Sequence, residues 1–173
     1  LKTAQWVPNT GGGAYPVFCY DEETQFLFDQ LNDEKRDLYF EEYPDREEDY
    51  SGDEKTQYDR YAGFLMDEKL NQAAAYRLEA ALVNGYSGDA IPGEGTLKDY
   101  LGKISYRKNS SCRELYLRGR EDADEAFDRL IGKTQDKYDS SGKRKDSLDY
   151  YRRIGMAHAE KDGKHYFMVI LMR

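Results

Sequence analysis

The chain has 173 residues, of which 39% are hydrophobic and 35% charged, and its net charge is −8. That length suits a single domain with a core of its own, needing no metal or disulfide staple, and no apolar run approaches the roughly eighteen residues of a membrane span. The charge speaks against a nucleic-acid partner, because phosphate contacts need clustered Lys and Arg and the sequence carries no basic stripe.

Residues 1–20 read as an extended tail, broken by Pro8, Gly11, Gly12, Gly13 and Pro16, with Trp6, Tyr15 and Phe18 as anchors. Asp21 is a good N-cap for a helix with Glu22 and Glu23 in its first turn and Leu27, Phe28, Leu31 and Leu38 on its apolar face. From Glu41 to Tyr61 the composition changes to nine acidic and three basic residues, with five tyrosines (39, 43, 50, 58 and 61) in or beside the stretch. It reads as a docking surface for cations or a basic partner, or as a solvated insertion pinned by its tyrosines. The carboxylate spacing fails the calcium-loop pattern, which favours the second reading.

The next helix is the clearest element. Asp67 caps it, Leu70, Ala74, Leu78 and Ala81 form its inner stripe with Ala73 and Leu82 beside it, and Gly85 closes it. The small residues predict close packing onto a sheet. Thr96, with Asp99 three residues on, predicts a short capped helix burying Leu97, Tyr100 and Leu101. A strand is predicted over Cys112 to Leu117. A helix follows over Asp122 to Ile131 with Phe127, Leu130 and Ile131 inward, ended by a left-handed Gly132, and then a polar loop runs to about Tyr150. Arg153 to Glu160 and His165 to Met172 flank Asp162-Gly163, a strong hairpin signal. The last strand is apolar on both faces, so it belongs at the centre of a sheet covered on both sides. These elements predict a three-layer α/β/α sandwich around a central antiparallel sheet.

Cys19 and Cys112, the only cysteines, could close one disulfide or remain two thiols. Neither stands at a zinc-ligand spacing from a histidine. His158 falls inside the first strand of the hairpin and His165 just past its turn, so both read as sheet-surface residues.

The order Leu70-Asn71-Gln72-Ala73-Ala74, Asn84-Gly85-Tyr86, Arg113-Glu114-Leu115, Asp124-Glu125-Ala126-Phe127, Arg153-Ile154-Gly155-Met156-Ala157 and Gly163-Lys164-His165-Tyr166-Phe167-Met168-Val169 resembles the CAP superfamily. This is the SCP-like group of cysteine-rich secretory proteins, antigen 5 and pathogenesis-related 1 proteins. The resemblance spans residues 21–173, with 41–61 as an insertion, and points to a divergent, bacterial-type member. It implies an extracellular or cell-surface domain, monomeric, whose partner is an extracellular protein, lipid or glycan.

The family cavity is lined by two histidines and two glutamates, which in some members hold a divalent metal. The resemblance carries the glutamates onto Glu114 and Glu125, but Asp89 and Lys143 stand where the histidines belong. Oxygens and an ammonium make a poor zinc site, so neither a metal nor another cofactor is expected there. Lys143 is instead expected to neutralise the two glutamates in a buried cluster. These departures imply a non-catalytic binding domain. The alternative is a hydrolase of an extracellular polymer, metal-assisted or not, working through Glu114 and Glu125.

Overall fold

The computed structural model describes residues 15–45, 62–134, 137–138, 144–145 and 147–173. Most of the acidic insertion, Trp6 in the tail and Lys143 lie outside these residues. The first long helix, α1 (Glu22–Glu42), starts where Asp21 accepts from Thr24 N at 2.9 Å and Thr24 Oγ1 accepts from Asp21 N at 3.0 Å. Its buried stripe runs through Thr24, Leu27, Leu31, Lys35 and Tyr39, which leaves Leu38 at the margin of the core. The short β1 (Leu65–Met66) leads into α2 (Glu68–Asn84), capped by the Asp67 side chain and closed by Gly85 at φ 88°. A small ribbon, β2 (Ala90–Ile91) with β3 (Gly95–Thr96), precedes α3 (Leu97–Lys103), whose Thr96–Asp99 capping box is formed as the sequence predicts.

Strand β4 (Cys112–Arg120) and helix α4 (Ala123–Lys133) follow, then the two-residue strands β5 (Lys137–Tyr138) and β6 (Arg144–Lys145), paired with each other. A 3-10 turn over Leu148–Tyr150 leads to the closing hairpin, β7 (Arg153–Lys161) and β8 (Lys164–Met172). Gly132, expected to end α4, lies inside it, because the helix runs on to Lys133 and Thr134 caps it with an ordinary φ of −108°. At the hairpin turn Asp162 and Gly163 have φ values of 53° and 75°, the paired left-handed conformation that suits the twist of a two-residue loop.

The main sheet has the order β1-β7-β8-β4. Its pairs β7–β8 and β8–β4 are antiparallel, but β1 runs parallel to β7, so the sheet is mixed rather than wholly antiparallel. Parallel neighbours need a crossover connection between them, and the long stretch of chain from β1 to β7, which includes α2, supplies it. Central β8 is buried on both faces as its sequence predicts, and Phe167 to Met172 are fully buried. Met168, Ile170 and Met172 join a core with α2, while Phe167, Val169 and Leu171 join a second core with α1 and α4. The protein is a mixed α/β fold.

Close approach of α2 to the sheet depends on one glycine. A Cβ at Gly155 of β7 would lie 2.2 Å from the Leu70 carbonyl carbon and 2.5 Å from Asn71 N, and both are backbone atoms. Beside it, buried Asn71 accepts from Met156 N at 2.8 Å through Oδ1 and donates to Tyr20 Oη at 2.9 Å. Further along β7, Phe18 exchanges two 2.8 Å backbone hydrogen bonds with His158. The outer edge of β7 is thus covered successively by β1, the Asn71 side chain and the tail. Val17 and Cys19, rather than Phe18, are the tail residues sunk in the core. Both cysteines are free.

Candidate functional site

Strand β4 is the other edge of the sheet, and a pocket of about 350 Å³ runs along it. Of the four expected cavity residues, Asp89 and Glu114 line this pocket and Glu125 does not, while Lys143 lies outside the described residues. Among the described residues, the two glutamates have separate partners. Fully buried Arg77 of α2 grips Glu114 with two nitrogens, Nε on Oε2 and Nη2 on Oε1 at 2.9 Å, and Nη2 also donates to Gly95 O at 3.2 Å. Tyr86 Oη adds a 2.9 Å bond to Glu114 Oε1. Burial and the adjacent Glu114 carboxylate push the Tyr86 phenol pKa upward, so it stays a donor. Glu125 accepts from Glu121 N at 3.0 Å and faces Arg120 Nη1 at 3.4 Å, near the surface.

Arg77 carries a signal that the inner-stripe reading of α2 passed over. It stands seven residues after Leu70, on the buried face, where a charge requires a buried counter-charge.

The pocket itself is basic. Arg118 and Arg120 come from the end of β4, and Arg129 and Lys133 from α4. Between the pairs Leu117↔Phe167 and Arg120↔His165, β4 advances three residues while β8 advances two, which is a bulge with Gly119 at φ 59°. The bend places Arg118 and Arg120 together at the mouth, where Arg118 O accepts from Arg120 Nε at 2.8 Å. The Arg118 guanidinium lies 5.1 Å from the Tyr116 ring and 5.7 Å from that of Tyr86, and Nη2 donates to Tyr86 O at 2.6 Å. On α4, Arg129 and Lys133 are four residues apart and share a face. Lys133 reaches Tyr116 O at 3.4 Å.

Among the described residues, none of Arg118, Arg129 and Lys133 is paired with a carboxylate. Burial, then repulsion from Arg129, Arg120, Arg118 and Arg113, lowers the Lys133 pKa. Burial pushes the Tyr116 phenol up to about 12. Positive charge is therefore crowded here: Arg120 has Glu125 as a partner, whereas Arg118, Arg129 and Lys133 have no carboxylate partner among the described residues. Comparison with family models, curated proteins and solved structures finds no match.

Proposed function

We propose that this protein is a non-catalytic binding domain that holds an anionic group, such as a phosphate, sulfate or carboxylate, in the pocket beside β4. The observation that carries the reading is the convergence of Arg118, Arg120, Arg129 and Lys133 on one pocket of a chain whose net charge is −8. Arginine forks match such oxyanions in pairs. A pocket of about 350 Å³ accommodates a small ligand or the charged end of a larger one. The surrounding negative field disfavours extended polyanions, so the ligand is small or carries a single charged terminus.

The wider reading is a three-layer α/β/α domain of the CAP type, extracellular or attached to the cell surface. Its partner is then an extracellular protein, lipid or glycan bearing such a group. Support comes from the order of the family-like motifs and from the two cores flanking the sheet. The hydrolase alternative is weaker. Both oxygens of Glu114 are already engaged, and Glu125 is turned to Arg120, so the pair does not present a free acid and base to one substrate.

Titration with inorganic phosphate and sulfate, followed by amide NMR shifts, tests the proposal. Saturable shifts at Tyr86, Tyr116, Arg118 and Lys133, lost in Lys133→Glu, are expected. Absence of saturation, or shifts that persist in Lys133→Glu, would discard it.

A further inference from the structure

The two histidines are not the separate sheet-surface residues that the sequence suggests. In the β7–β8 hairpin, His158 pairs with Phe167 and Glu160 with His165, so His158, Glu160 and His165 project from one face near the turn. The imidazoles meet edge to edge, with 5.0 Å between centroids and 25° between ring planes, and His158 Nε2 lies 2.8 Å from His165 Nδ1. His165 Nδ1 is in turn 3.8 Å from Glu160 Oε1. Among the described residues, these three form the one group whose ligand atoms all lie within 4.8 Å of one another.

A carboxylate stands behind the pair. Asp21 Oδ2 is 2.6 Å from His158 Nδ1, while Asp21 Oδ1 accepts from Thr24 N at the start of α1. Each oxygen of Asp21 thus has its own partner. This arrangement holds the proton of neutral His158 on Nδ1 and leaves the Nε2 lone pair directed at His165. Phe167 lies against the His158 ring at 4.8 Å and limits its rotation.

From this geometry we infer that His158, His165 and Glu160 form a binding site for a divalent transition ion of zinc's class, with Asp21 orienting His158 from behind. Two imidazole nitrogens and one carboxylate oxygen are a donor set that such ions favour and that magnesium and calcium do not. Bonds of about 2.0–2.2 Å in tetrahedral array require ligand atoms roughly 3.3–3.5 Å apart. The separations of 2.8 and 3.8 Å bracket that range, so the site closes by small side-chain rotations. The ion replaces the proton that otherwise bridges the two rings.

Exposure is graded across the group. The His158 side chain is 4% exposed, that of His165 17% and that of Glu160 65%, so the remaining coordination position faces water. A bound ion would tie the hairpin to the start of α1 through Asp21. The inference stands on different residues from the anion pocket and does not depend on it.

Calorimetric titration of the chelator-stripped protein with zinc chloride, in a buffer free of phosphate, tests the site. One ion per chain is expected, with affinity lost in His165→Ala and reduced about 10–100-fold in Asp21→Asn, which keeps a competent helix cap. Asp89→Asn, in the other pocket, should leave the affinity unchanged. Cobalt(II) in place of zinc should give the visible absorption of a four-coordinate site, again lost in His165→Ala. Thermal unfolding should shift upward with zinc in the parent chain and not in His165→Ala, which separates metal binding from a folding defect. Absence of stoichiometric binding, binding that survives His165→Ala, or binding removed by Asp89→Asn would overturn the assignment.

Discussion

Asp21 shows how much a single side chain carries when its two oxygens are used separately. Burial would raise its pKa, but the hydrogen bond and charge of His158, together with Thr24, more than offset this and hold it below the usual 3.8. A carboxyl with a lowered folded pKa contributes stability that is present above its unfolded value and is lost as pH falls through the folded one. The protein should therefore lose stability on acidification from about pH 3.8 downward, and Asp21→Asn should flatten that part of the profile. Urea unfolding at a series of acidic pH values reads this directly, and an unchanged slope in the variant would contradict it.

Gly155 acts at the same scale through shape. A methyl group there meets backbone atoms of α2 that cannot rotate away, so Gly155→Ala should cost about 3 kcal/mol or more. Denaturant titration measures the cost, and a loss under about 1 kcal/mol would show that α2 can move off the sheet.

Between elements, the Arg77–Glu114 pair ties α2 to β4 across one edge of the sheet. Both side chains are nearly inaccessible, at 0% and 4%, so removing one charge leaves the other buried without its partner. Glu114→Gln should destabilise the fold by about 3–5 kcal/mol. Replacement of both residues, as Arg77→Met with Glu114→Gln, should recover part of that loss. Equilibrium unfolding of the two variants makes the comparison, and equal losses would show that the charges themselves matter little.

The two sheet edges are treated differently. That of β7 is closed by β1, Asn71 and the tail, whereas β4 is flanked by long basic side chains that leave a pocket.

For the whole molecule, the contrast that matters is between a net charge of −8 and a local concentration of arginine and lysine. Fields of that kind admit a small anion and repel a long one. Duplex DNA at low ionic strength should show no retention in an electrophoretic mobility assay, while inorganic phosphate should bind. Retention would mean that the pocket is part of a larger basic surface. No helix among the described residues is long and apolar enough to cross a membrane.

The sequence by itself determined most of the elements, because their signals are local. Asp21, Asp67 and Thr96 cap as their spacing predicts, Asp162-Gly163 turns the hairpin, and the two-sided apolar run becomes the central strand. Gly132 misleads for the same reason: a glycine permits a helix end without imposing one, and α4 runs two residues past Ile131, to Lys133. Tertiary structure alone decided the direction of β1, whose partner β7 lies far along the chain. It also decided the partners of Glu114 and His158. Glu114 found Arg77 from 37 positions away, and His158 found Asp21 from 137. Pairings over such separations leave no periodic trace in the chain, since they are set by which faces the sheet and helices bring together.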